Sequence, residues 1–491
     1  MILPLDSAPM SLDSGVDIQE KWQPARLIPV AGIRGQEEQE RRATSALLAV
    51  MGAVPQFGHA LLGGLGAPKG RISTFAEVQF KNVDGQVSIP DGAIVIERGK
   101  THWRALVEVK TGSTALKTEQ VSNYLDLARD HGLDAVVTIS NQITARPTDS
   151  PVAVDKRKLK KVGFYHLSWW RIITEAVLQY RFRGVSDPDQ AWILGELIAY
   201  LDHENSGASG FQDMGESWVR VRDAARQGTL RGADKEVRAV AERWEQFIEY
   251  LVLGLSQDLG ADVEPVRPRK QTLPERLDAV VQGLAANGAL AGAVRVPDAI
   301  ASLALYADLK ARQLTTSVSV DAPREGRPAS RISWMLRQLA EAPAGLRITV
   351  AFANARETTS LLLSEAHEYP QRLLSPTDPK REPRTFELAL TRPLGLKSGK
   401  GQGSFVRETR RQLIDFYGEL VQDLKPWQAK APKLPEAPAQ VPETPQPEPP
   451  PFVAVDEREA GEATTPAEPP VEPTHEQPGL DAWPPGQPGD G

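Results

Sequence analysis

Apolar and polar positions alternate along the first third of the chain in two rhythms, one near 3.6 residues and one of two. Residues 37–51 (EEQERRATSALLAVM) follow the helical rhythm. Runs at 71–80 (RISTFAEVQF), 87–96 (VSIPDGAIVI) and 103–110 (WRALVEVK) follow the strand rhythm. The stretch 117–130 (KTEQVSNYLDLARD) predicts a helix closed by Gly132, the residue type that best tolerates a left-handed C-terminal cap. DAVVTIS at 134–140 is continuous and β-branched, as a strand buried on both faces should be, and GFYHLSW adds a further strand ending near Trp169. The predicted order is α-β-β-β-α-β and then another β.

Beyond this region, 171–260 reads as mostly helical, with RIITEAVLQY, QAWILGELIAYL and VRAVAERWEQFIEYLVLGL. A linker containing VEPVRPRKQTLP leads into 270–428. There strands (AIASLALYA, TTSVSVDA, LRITVAFA, TFELALT) and helices (RISWMLRQLAEA, FVRETRRQLIDFYGELVQDL) mix again. Residues 1–29 read as a disordered leader without the basic-then-apolar layout of a signal peptide. Residues 429–491 are a Pro- and Glu-rich tail with little to bury. The fold class expected is α/β: an αβββαβ core over 30–170, a helical extension over 171–260, a second α/β domain over 270–428, and the tail.

Composition changes this picture in three ways. With no cysteine among 491 residues, disulfides, zinc–thiolate centres and thiol nucleophiles are excluded, and a cytoplasmic location is the expectation. No apolar run approaches the ~20 residues of a membrane helix, so no membrane partner is expected. The net charge of −7 is dominated by residues 436–491, which hold 12 acids and one base (Arg458). Taking that −11 from −7 leaves +4 for residues 1–435, a balance that permits nucleic-acid binding without requiring it.

The candidate chemistry lies at the turn ERGKTH, residues 97–102. If Gly99-Lys100 is a two-residue turn, paired residue numbers sum to 199 and Asp91 stands opposite Glu108. Opposed side chains have Cβ atoms only ~4.5–5.5 Å apart, and two carboxylates that close repel unless a cation lies between them. Alternation along the strand places Lys110 on the same face as Glu108. Alone, such a D…ExK pattern is more often a turn acid and a solvated strand face. Glu40 shares a helical stripe with Thr44, Leu47 and Met51, and Glu77 points away from the apolar side of its strand. Both are further candidate metal ligands. His59 is set aside as structural. The basic run DKRKLKK (155–161) is either a phosphate grip or a solvated loop.

Pro90-Asp91 followed by Glu108-Val109-Lys110 in this order of elements resembles the PD-(D/E)xK nuclease superfamily. Gln120 and Tyr124, four apart on one helix face, match the QxxxY motif of its RecB-like branch. The resemblance covers about 30–170. It implies a restriction-endonuclease-like core, a Mg²⁺ (or Mn²⁺) cofactor, and catalytic roles for Asp91, Glu108, Lys110, Gln120 and Tyr124. Asp91 and Glu108, with Glu40 and Glu77, would be the metal ligands. It also implies DNA as the partner and phosphodiester hydrolysis in repair, restriction or defence. A non-catalytic nucleic-acid- or protein-binding scaffold on the same fold is the alternative, and 270–428 or the tail could recruit a protein partner.

A second match, Asp298 and Asp308 in PDAIASLALYADLK, is rejected because one strand would hold the two acids about 33 Å apart at ~3.3 Å per residue. Arg324, Arg327, Arg331 and Arg337 are either phosphate contacts or helix-surface arginines around Trp334. No phosphate-cradling GxxxxGK[ST] loop is present, so no motor is expected.

Overall fold

In the computed structural model, the structure describes residues 26–429, apart from 31, 82–84, 86, 145, 209, 269–270 and 400. The predicted leader and tail lie almost wholly outside the described residues.

Helix α1 (Gln36–Ala53) turns sharply at Pro55 into α2 (Pro55–Gly63), an element the helical rhythm did not single out. Strand β1 (Arg71–Ala76) is followed by a small hairpin of β2 (Phe80–Lys81) and β3 (Val87–Ser88). Then come β4 (Gly92–Arg98) and β5 (Thr101–Val109). The expected single strand over 87–96 is therefore two. Pro90, which cannot donate a ladder hydrogen bond, stands at the break. Helix α3 (Thr118–Asp130), β6 (Ala135–Ser140) and β7 (Gly163–Ser168) complete a sheet of order β1-β4-β5-β6-β7. Its first three strands are antiparallel and its last two run parallel to β5.

Glycine decides two local events. Gly99 takes φ +59° in the β4–β5 turn, and the register runs from Gly92↔Val107 to Arg98↔Thr101, as the expected sum of 199 requires. Gly132 takes φ +61° one residue past the end of α3. The Gly132 amide donates to Arg129 O and the Leu133 amide to Ala128 O, which closes the helix with a Schellman pair.

The two faces of this sheet differ. Ala105, Val107 and Val109 of β5 join the main core with α1. Leu106, Val136 and Phe164 lie on the other face under Val121, Leu125 and Ala128 of α3, as a separate small cluster. Helices α4 (Trp169–Leu178), α5 (Pro188–Asp202), α6 (Trp218–Gln227) and α7 (Lys235–Leu259) follow. Nearly every residue of α7 from Phe247 to Gln257 is buried, as a helix at the centre of a large core must be.

The linker segment does not run free. β8 (Glu264–Pro265) joins the edge of the second sheet, and Arg267 pairs with the buried Glu249 of α7 (3.3 Å). That antiparallel sheet has the order β13-β12-β14-β11-β10-β9-β8. Its strands after β8 are β9 (Ala289–Arg295), β10 (Leu303–Asp308), β11 (Gln313–Asp321), β12 (Arg347–Phe352), β13 (Thr358–Leu362) and β14 (Pro383–Pro393). Helices α8 (Leu273–Asn287), α9 (Pro328–Gln338), α10 (Leu363–Glu368) and α11 (Phe405–Glu419) flank it. The chain is thus mixed α/β. Among the described residues, no single helix is long and apolar enough to cross a membrane.

Candidate active site

The β4–β5 register carries Asp91, one residue before β4, to the position opposite Glu108. Asp91 accepts a hydrogen bond from the Val109 amide through Oδ2 (2.7 Å), which ties the acid to the strand that bears Glu108 and Lys110. Glu108 is buried at 1% exposure. Lys110 Nζ stands 2.7 Å from Glu108 Oε1 and 3.3 Å from Glu40 Oε2 of α1, and also donates to Val109 O (3.0 Å). From α3, Gln120 Nε2 donates to Glu108 Oε1, while Tyr124 packs in the small core beside it. Asp91, Glu108, Lys110, Gln120, Tyr124 and Glu40 are therefore brought together from four segments.

Electrostatics sharpen the site. Burial, reinforced by the charge of Asp91, pushes the Glu108 carboxyl up to about 7 despite help from Lys110. Burial works against the lysine's charge, yet its bond to Glu108 and the charges of Glu108, Asp91 and Glu40 hold it above its ordinary value. Tyr124 is pushed up to about 12, by burial first and then by the Glu108 charge, so it stays a neutral phenol. A buried acidic pair with one ammonium beside it is incompletely compensated.

Glu77 ends elsewhere than expected. It has left β1 in a left-handed conformation (φ +51°), is mostly exposed, and pairs with Arg41 (3.0 Å). With Glu37, Glu40, Arg41 and Asp91 it lines a cavity of about 600 Å³. Glu108 lies deeper and does not line it. Among the described residues, no three of His, Asp and Glu are grouped closely enough to hold a metal ion.

His59 Nε2 bonds Gly70 O (2.7 Å), a structural role. In the basic run, Lys158 is bound to Ser122 and Asp126 of α3, while Lys156, Arg157, Lys160 and Lys161 are exposed. Asp298 and Asp308 do not share one strand as assumed above. Asp298 sits in a turn (φ +59°) before β10, and Asp308 ends that strand, so the two remain at opposite ends of it. Arg331 is buried and bonds Gly326 O, Arg324 O and Pro383 O, which makes it a structural anchor.

Several contributors escaped the sequence reading. Trp169, the first residue of α4, donates from Nε1 to Lys110 O (2.9 Å) and so fixes the lysine's backbone. Gln36 and Gln39 of α1 hold Thr111, the next residue. Thr138 and His166 extend the row of Glu108 across the parallel strands, and Thr138 Oγ1 lies 2.9 Å from His166 Nδ1. Only Arg41 carried a visible signal, its place next to Glu40 and four residues after Glu37.

Comparison of the chain with models of known protein families and with curated proteins finds no match to either.

Proposed function

We propose that the chain is a metal-dependent nuclease that hydrolyses DNA phosphodiester bonds at the Asp91–Glu108–Lys110 centre, on a restriction-endonuclease-like core formed by α1, β1, β4–β7 and α3. The observation that carries this reading is the convergence of two opposed carboxylates, a lysine two residues on, and Gln120 donating to the same Glu108 oxygen that meets the lysine.

The donor set fits a hard cation. Magnesium uses few protein carboxylates and keeps waters, and the uncompensated Asp91–Glu108 pair is the charge such an ion would offset. Asp91 and Glu108 would hold Mg²⁺ or Mn²⁺, with Glu40 and Glu77 on the cavity walls near it. When bound, it would supply positive charge to the phosphate and lower the pKa of an attacking water. Lys110, held charged, meets the extra negative charge of the pentavalent phosphate. Gln120 fixes the Glu108 carboxylate in one orientation, and Tyr124 closes the site on the α3 side. Asp91, anchored on the Val109 amide, keeps its second oxygen for the ion.

The test is cleavage of labelled single- and double-stranded DNA with Mg²⁺, Mn²⁺ or EDTA, by the wild type and Lys110→Ala. Expected is metal-dependent cutting that falls by a factor on the order of 10²–10³ in the variant, the usual cost of losing one transition-state charge contact. Lack of cutting of both substrates by the wild type, or equal cutting by both proteins, overturns the reading. The first result would leave a non-catalytic scaffold.

A further inference from the structure

A second cavity, of about 900 Å³, opens where α4, α5 and α7 meet α11. Its size is that of a small-molecule site. Trp170 and Tyr250 form an aromatic wall, with ring centroids 5.0 Å apart. On the facing helix, Arg407, Arg410 and Arg411 are spaced to share one side of α11 and all line the cavity. Arg410 reaches Asp258 through Nη2 (3.1 Å), but its buried Nε has no hydrogen-bond partner. A buried guanidinium left partly unpaired is costly, and its planar donors match phosphate or carboxylate. Asp202 and Glu204, exposed at the rim, offer acceptors to hydroxyl or amino groups.

This wall is also joined to the candidate active site. Glu204, Ala208 and Gly210 line the cavity, while the same segment faces the loop after Lys110. There, Gly207 O accepts from the Gly112 amide (2.9 Å) and Asn205 O from Gln39 (2.9 Å). On the other side, Trp170 adjoins Trp169, the residue that holds Lys110 O.

We propose that this cavity binds a nucleotide, with its base on the Trp170–Tyr250 wall, its phosphates on Arg407, Arg410 and Arg411, and its sugar hydroxyls at Asp202 and Glu204. Binding orders the 203–210 segment and through it the 111–114 loop. The same chemistry comes in two forms, a free mononucleotide or the end of a nucleic-acid strand, and the cavity is assigned to the first.

The experiment is titration calorimetry of the full chain with AMP, ATP and GTP, with the nucleoside adenosine, and with a 5′-phosphorylated thymidine hexamer. It is repeated with Arg407→Ala/Arg411→Ala, two substitutions on exposed or rim side chains. Expected is binding of at least one mononucleotide, weakened about tenfold or more by the double substitution and likewise by loss of the phosphate. Hydrogen exchange of amides in 110–114 and 203–210 should slow on binding. No heat from any mononucleotide, binding unaffected by the double substitution, or binding of the hexamer alone would each overturn the assignment. Binding with unchanged exchange in both segments would overturn the coupling. Both readouts are independent of cleavage, so failure of the nuclease reading leaves them interpretable.

Discussion

At the scale of single residues, Glu108 shows function and stability opposed. Its native carboxyl titrates near 7 against an ordinary 4.5, so the folded chain holds a proton that the unfolded chain releases between those values. The stability this gives is present below about pH 4.5 and is lost as pH rises through 7. Glu108→Gln should therefore have a thermal midpoint at pH 8 equal to or above the wild type while losing metal-dependent cleavage. A clear fall in the midpoint would mean that the pair with Lys110 outweighs the burial. His166 runs the other way. Burial holds it down to about 4, so the unfolded chain takes up the proton first as pH falls. Stability on the order of 3 kcal/mol is present above pH 6.5 and lost between 6.5 and 4. The midpoint of the wild type should drop more steeply over that range than that of His166→Gln, measured by circular dichroism.

At the scale of elements, the site depends on where strands and helices start. The D…ExK pairing was legible because a tight turn with Gly99 fixes the β4–β5 register, and a register slip by one residue would send Glu108 to the other face. The start of α4 was not legible in that way. Ser168 caps it by accepting from the Arg171 amide (3.1 Å), which sets Trp169 where its indole reaches Lys110 O. Ser168→Ala should cost about 1 kcal/mol, the usual value of an N-cap. Trp169→Phe removes the indole donor. The expected result is a slower cleavage rate with little change in substrate KM, checked by steady-state kinetics, because the lysine's backbone loses its anchor.

At the scale of the whole molecule, the five-stranded sheet is not a free-standing unit. The main core runs without a break from Ala43 and Leu47 of α1 through Trp169, Leu197 and Trp244 to Phe386 and Phe405. Glu249, almost wholly buried, is met by Arg171 of α4 and by Arg267 from the linker segment. A fragment of residues 26–170 would leave the α1 contacts with α5 and those of Trp169 and Val109 open to water. It should be insoluble or bind a hydrophobic dye, whereas 26–429 should unfold cooperatively, as calorimetry would show. Cooperative unfolding of 26–170 alone would contradict this.

Much of this arrangement follows from the chain alone. The helical rhythm placed α1 and α3, the β-branched run placed β6, and two-residue alternation with a glycine turn set Asp91 opposite Glu108. These are local or nearest-neighbour consequences of backbone geometry, so a linear sequence carries them. The tertiary structure decided that Lys110 lies between Glu108 and Glu40, since α1 and β5 are joined only by packing across about seventy positions of chain. It also decided that Glu77 turns to Arg41, that Trp169 holds the lysine's carbonyl, and that a second cavity faces α11. Those contacts join residues far apart in sequence, and only the folded core, by bringing their elements into van der Waals contact, determines which polar groups meet.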